Sequence, residues 1–228
     1  MKVNILLLTI DRYELTKDCV GEALMNAGYP FSLCVTDNGS KDERVMNLVQ
    51  SWSPIYFKQN GFNLGTAQSL NKMIEENPAD AWVFIGNDIR MPKDWLNKMV
   101  ETYQQGLGVI GINWRPVQYP MIEINSVKMW QTDRVFGTMF ITKGLRDILG
   151  KFCEDYGVYG LWDGEYSLRA ELAGLTNVYV YGMKSIHEGH DTEEQSEYRK
   201  MKTESLEAAK EKFSQNIKKY KETGKVKL

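Results

Sequence analysis

The stretch "WVFIGNDIRMP", residues 82–92, sets the first question of this 228-residue chain. Four apolar residues, Trp82, Val83, Phe84 and Ile85, run straight into Gly86, Asn87 and Asp88, and Pro92 closes the segment. A short apolar run bounded by turn residues reads as a strand covered on both faces. Its carboxylate, Asp88, is then either turn chemistry or a ligand held at the mouth of a sheet. The neighbouring segments decide between these.

Upstream, "VNILLLTI" (3–10), "FSLCVTD" (31–37) and "IYFKQ" (55–59) read as further strands. Between them lie helix-like segments at 16–28, 42–52 and 65–77, and another follows at 93–105. In the first helix Thr16 is a possible cap, Cys19, Val20, Ala23, Leu24 and Ala27 share a face, and Gly28 is a stop. Alternating strands and helices predict an α/β fold, Rossmann-like, with a mostly parallel sheet flanked by helices. Such sheets bind ligands beyond the carboxyl ends of their strands. Three strand ends carry acids, "TIDR", "TDNGS" and "GNDI", so Asp11, Asp37 and Asp88 are expected to line one crevice.

The second half is less regular. Strands are expected at 108–114, 134–142 and 177–182, and short helices at 144–152 and 162–174. Residues 115–133 read as an irregular segment rich in aromatics and proline. Trp114 just before it and Tyr119 and Trp130 within it are either stacking platforms for a sugar or base, or ordinary packing. From Glu193 to about Glu222 a long amphipathic helix presents Tyr198, Met201, Leu206, Ala209, Phe213, Ile217 and Tyr220 on one stripe.

Composition narrows the classes. Hydrophobic residues make up 43 % and charged residues 25 %, as in an ordinary globular protein, and the net charge is −2. No global basic field points to nucleic acid. Residues 199–228 are locally basic, with ten Lys/Arg against four Glu. A solvated lysine face is the favoured reading there; a polyanion partner such as nucleic acid or an acidic membrane is possible and not favoured. Cys19, Cys34 and Cys153 are odd in number and widely spaced, which suits reduced thiols in the cytoplasm and no zinc site. The apolar run at 3–10 falls far short of the ~20 residues a transmembrane segment needs.

Six segments in order then resemble glycosyltransferase family 2, of the GT-A fold: "LLTIDRYE", "CVTDNGSKDE", "NGFNLGTAQSLN", "FIGNDIRMPKDWL", "YGLWDGEYSLRAELAG" and "SIHEGHD". The resemblance covers about residues 3–190. It implies sugar transfer from a nucleoside-diphosphate donor, with Mn2+ or Mg2+ and inversion at the anomeric carbon. It implies domains at 1–191 (a nucleotide-sugar half, 1–112, and an acceptor and catalytic half, 113–191) and a helical extension at 192–228 packed on them.

The resemblance also assigns residues, each with a plainer reading beside it. Thr9, Asp11, Arg12, Asp37, Asn63, Gly65, Asn71 and Asn87 fall on the donor side. Asp37 in Asp-Asn-Gly-Ser is equally good turn chemistry, Arg12 equally a surface residue, and Asn63 equally a helix cap. Asp88 matches the last acid of the family's D-x-D metal motif, whose first acid is replaced by Gly86. His187 matches a late metal-binding histidine, with His190 beside it and Asp191 as its possible partner. Asp163 matches the general base, although Trp162 stands where the family has Glu; helix capping is the plainer role, and Glu165 is the runner-up base. Two other classes remain. A nucleotidyltransferase would need a glycine-rich loop after the first strand, which "TIDRYELTK" lacks. A non-catalytic nucleotide-sugar-binding module would explain Gly86.

Overall fold

The computed structural model describes residues 1–116, 118–188 and 196–228. The chain runs β1 (Val3–Thr9), α1 (Tyr13–Met25), β2 (Ser32–Asp37), α2 (Glu43–Ser51), β3 (Tyr56–Gln59), α3 (Thr66–Glu76), β4 (Ala81–Ile85), β5 (Ile89–Arg90) and α4 (Trp95–Thr102). It continues with β6 (Leu107–Asn113), β7 (Met121–Ile124), β8 (Val127–Gln131), β9 (Met139–Thr142), α5 (Lys143–Leu149), α6 (Trp162–Leu172), β10 (Thr176–Lys184), β11 (Ile186–His187) and α7 (Ser196–Thr223). Among the described residues nine strands form one sheet in the order β3-β2-β1-β4-β9-β6-β10-β8-β7, and β5 pairs with β11 apart from it.

The first four strands of that order are parallel, as the apolar runs predict. β9 lies antiparallel between β4 and β6, and β6 is again parallel to β10. Strand residues alternate between two cores. Ile5 and Leu7 pack with α1 and α4 residues such as Val20, Ala23, Trp95 and Leu96, whereas Leu6 packs with α3 and α6 residues such as Leu70, Met73 and Tyr166. Side chains as deeply buried as Leu7 and Ile85, both 0 % exposed, contribute about 1.5–3 kcal/mol each.

From β1 the chain steps outward to β2 and β3, then returns to place β4 on the other side of β1. The strand order reverses there, so the carboxyl ends of β1 and β4 splay into a crevice. Residues after β1 and after β4 therefore meet.

Several local expectations need correction. α1 starts at Tyr13, not Thr16; Arg12 holds the position before it with φ 61°, and Thr16 is buried inside the helix. The strand expected at 134–142 is confined to Met139–Thr142. Before it the backbone leaves the sheet: Val135 N donates to Ser167 Oγ, Phe136 N donates to Tyr179 OH, and Gly137 turns with φ 78°. The segment read as irregular holds the β7–β8 hairpin, which turns at Asn125 and Ser126, both in the left-handed region. Two consecutive positive φ values suit the twist of a tight hairpin.

α7 packs through Ala209, Asn216 and Tyr220, which are buried, and its lysines lie mostly outward. Among the described residues no helix is long and apolar enough to cross a membrane. His190, Asp191 and the expected helix start at Glu193 lie outside the described residues, as do the side chains of Tyr198 and Met201.

Candidate active site

A cleft of about 420 Å³ opens at the carboxyl ends of β1 and β4. Thr9, Arg12, Asn63, Asn87, Asp88, Asp163 and His187 line it together. Arg12 follows β1 and Asp88 follows β4, so the parallel pairing of these strands brings Arg12 Nη1 to 3.2 Å from Asp88 Oδ2. His187 arrives through the two-residue ladder in which it opposes Ile89. Glu188 N donates to Asp88 O (2.9 Å), and His187 Nε2 stands 3.8 Å from Asp88 Oδ1. The His187 ring rests on Trp114, with ring centres 5.0 Å apart. Asn87 Nδ2 donates to Thr16 Oγ1 (3.0 Å), which ties the turn after β4 to α1.

The rest of the expected set sits behind this surface and braces it. Asp37 is 0 % exposed. Its carboxylate accepts from Thr9 Oγ1 (3.1 Å), Gly39 N (3.1 Å), Ser40 N (2.9 Å) and Ser40 Oγ. Register explains the first contact, because Thr9 and Asp37 are partners across the β1–β2 pair. Asp11 Oδ1 accepts from Lys41 N (2.7 Å) and Asp42 N (3.0 Å), joining the loops after β1 and β2. Asn71 binds Phe152 N and O, Glu154 and Arg146, and so ties α3 to the segment after α5.

Gly65 precedes α3 with φ 84° and ψ 163°, a region essentially reserved for glycine. Its N–H donates to Asn63 Oδ1 (2.9 Å). A Cβ there would lie 2.7 Å from Gly157 O and 2.9 Å from Val158 Cα, so the glycine lets the 157–161 loop close on α3.

Asp163 lies in the first turn of α6, two residues after Leu161, which holds the N-cap position in the left-handed region. It therefore is not the capping residue. Its oxygens accept from Gly164 N (2.8 Å) and Gly137 N (3.4 Å). The side chain is set deep in the protein with part of its surface open to the cleft. Burial pushes its carboxyl up from the ordinary aspartate range, against the opposing pull of those two N–H groups and of Arg115. Glu165 faces elsewhere: it is 0 % exposed and paired with Arg169 at 2.8 Å.

Sequence reasoning missed several cleft residues. Asn38 lines the cleft while its Oδ1 accepts from Asn60 Nδ2 and Ser69 Oγ. Arg115 also lines the cleft, its guanidinium 4.2 Å from the ring centre of Phe136. Arg115 stands just past the end of β6, where the strand-end rule could have found it. Lys202 and Leu206 of α7 also reach the cleft, with Lys202 Nζ 4.7 Å from the Tyr159 ring centre. Nothing in a lysine-rich helix singles out that one lysine.

Asp88 and His187 offer one oxygen and one nitrogen donor. Among the described residues no group of three His, Cys, Asp or Glu gathers as a metal-ligand set. The pair fits a divalent cation whose remaining ligands come from a bound molecule and water.

The family model for glycosyl transferase family 2 matches residues 5–156, which ends before Asp163 and His187. The chain is similar to a glucosyl-dolichyl phosphate glucuronosyltransferase of Haloferax volcanii, 25 % identical over 116 residues, covering 49 % of this chain and 37 % of that one. Among solved structures it is similar to a mannosyltransferase from Pyrobaculum calidifontis in complex with GDP-Man and Mn2+ (TM-score 0.66, 15 % identity, 82 % of this chain and 56 % of that one). It is also similar to GalNAc-T7 with UDP, GalNAc and Mn2+ (TM-score 0.66, 11 % identity, 82 % and 44 %). A third is S. aureus TarS 1–349 with UDP-GlcNAc (TM-score 0.62, 14 % identity, 81 % and 57 %). The chain thus spans 37 % of the curated relative's length and about half of the three structures'.

Proposed function

The chain belongs to glycosyl transferase family 2 and has the GT-A fold, and on that premise we propose that it transfers a sugar from a nucleoside-diphosphate donor to an acceptor hydroxyl, with inversion and with Mn2+ or Mg2+. The observation that carries this reading is that Asp163, Asp88, His187 and Arg12 line one cleft at the reversal point of the sheet. Nucleotide-sugar and Mn2+ complexes of the similar structures support the donor class and the metal.

In this reading the donor lies against Thr9, Arg12, Asn38, Asn63 and Thr66. Thr66 opens α3, and a helix N-terminus favours an anionic group. Arg12 and Lys202 add positive charge for the diphosphate. Asp163 accepts the proton from the acceptor hydroxyl as that oxygen attacks the anomeric carbon. Its raised affinity for a proton makes it a better base than an exposed aspartate. Arg115 and the Phe136–Gly137 backbone hold the wall from which Asp163 faces the acceptor. A cation held by Asp88 and His187 would offset the charge on the leaving diphosphate. Three free, buried thiols suit a reducing cytoplasm.

The test is donor turnover with and without Mn2+. Asp163→Asn is expected to lower transfer by about 10²–10⁴-fold while nucleoside-diphosphate binding persists. Full transfer by that variant would overturn the base assignment. Gly86 in place of the first motif acid favours one other reading, a binding module. Donor binding by calorimetry, with neither transfer nor hydrolysis, would decide for it.

A further inference from the structure

A second cavity, of about 340 Å³, shares Arg115 with the cleft. That volume is in the range of small-molecule sites. Its chemistry differs from that of the cleft. Tyr119 and Trp130 supply two aromatic faces, and Arg115 and Lys184 supply two cations. No carboxylate stands among its described lining residues.

The parts are held in place. Trp130 leans on Tyr181 with ring centres 5.3 Å apart, and Tyr119 on Tyr179 at 5.1 Å. Asn113 is 5 % exposed and staples the turn that presents Arg115: its Oδ1 accepts from Arg115 N (2.9 Å) and its Nδ2 donates to Arg115 O (3.1 Å). The Arg115 guanidinium lies 4.2 Å from the Phe136 ring centre and 5.1 Å from that of Trp114. Lys184 enters from β10, where it pairs with Asn113.

We infer that this cavity is an acceptor subsite for an anionic saccharide unit, a sugar bearing a carboxylate or a phosphate. The inference rests on the transfer reading of the cleft, because Arg115 joins the subsite to the wall that carries Asp163. An aromatic face takes up the apolar C–H face of a sugar ring. A guanidinium fork and an ammonium select its anion, and Arg115 matches a carboxylate or phosphate in two-pronged geometry. A neutral sugar would offer neither cation an opposite charge.

The test uses the whole chain and three probes with the same ring: methyl β-glucuronide, glucose 1-phosphate and neutral methyl β-glucoside. Ligand-observed NMR titration gives the affinities. At least one anionic probe is expected to bind about tenfold more tightly than the glucoside, and to weaken from about 50 to about 300 mM salt. The two anionic arms decide between carboxylate and phosphate. Trp130→Ala and Lys184→Gln are each expected to weaken the anionic probe about fivefold or more. Trp130→Phe, which keeps a ring, is expected to recover most of the affinity and guards against a folding defect. Nucleoside-diphosphate binding in the cleft is expected to stay unchanged in all three variants. Equal binding of charged and neutral probes, no binding of any probe to roughly 10 mM, or indifference to Trp130→Ala and Lys184→Gln would each overturn the subsite. Failure of the transfer reading shows separately, as absent donor turnover or an active Asp163→Asn variant.

Discussion

Glu165 stands two residues from Asp163 and offers the sharpest test of which acid does what. Its carboxylate is 0 % exposed and accepts from Arg169 Nη2 (3.0 Å) and Tyr220 OH (2.6 Å), with Arg169 Nε at 2.8 Å. Arg169, also 0 % exposed, donates further to Leu149 O (2.6 Å), Lys151 O (2.7 Å) and Val226 O (3.2 Å). The pair therefore binds α6 to α7 and to the C-terminal residues. Glu165→Gln keeps the side chain's shape and removes its charge. Losing one partner of a buried ion pair costs about 3–5 kcal/mol. The three carbonyls that still receive Arg169 favour the lower end, so about 3 kcal/mol is expected. That is a large share of a typical stability of about 5–15 kcal/mol. Urea unfolding followed by circular dichroism measures it as a lower midpoint at unchanged slope. Turnover per folded molecule is expected to match the parent protein. A loss below about 1 kcal/mol would refute the structural role. Lost transfer at unchanged stability would move Glu165 into the chemistry.

Three other outcomes follow from the geometry. Gly65→Ala combines glycine-only backbone angles with a Cβ 2.7 Å from Gly157 O, and is expected to cost about 3 kcal/mol in urea; a change under about 1 kcal/mol would contradict the close approach of the 157–161 loop. Asp163 has a carboxyl raised by burial, so the folded state holds its proton more tightly than the unfolded chain does. Its contribution to stability is full below the unfolded pKa and is lost as pH rises through the raised folded value. Calorimetry from about pH 3 to about pH 7 is therefore expected to show the parent losing stability relative to Asp163→Asn as pH increases, and a flat difference would reject burial as the cause. The acid limb of transfer is expected to lie above the ordinary aspartate range for the same reason. Asp88→Asn and His187→Ala are each expected to raise the Mn2+ concentration for half-maximal turnover about tenfold or more, and an unchanged metal response would remove that residue from the ligand set.

The existence and parallel character of β1, β2, β3 and β4 were legible because buried parallel strands leave continuous apolar runs, and the helices between them announce themselves by period. The strand-end rule pointed to Asp11, Asp37 and Asp88; of these three Asp88 lines the cleft, beside Arg12, while Asp11 and Asp37 brace the loops behind it. The hairpin at 121–131 was missed because Asn-Ser is a weaker turn signal than Asn-Gly. Left-handed Arg12 starts α1 at Tyr13, ahead of the expected cap Thr16, and left-handed Leu161 rather than Asp163 holds the cap position of α6.

By itself the sequence determined the α/β class, the parallel character of the first-half strands and the acids placed at strand ends, since each depends on local period and turn chemistry. Only the tertiary structure decided where each acid points. It turned Asp37 and Asp11 inward as loop braces, buried Glu165 against Arg169 and Tyr220, and left Asp163 facing the cleft. It also carried His187 to Asp88 through a two-residue ladder joining segments 98 positions apart, and brought Lys202 in from the last helix. The direction of a side chain at a strand end depends on which partners lie across the sheet, and that information is spread over the whole chain rather than held in any one stretch of it.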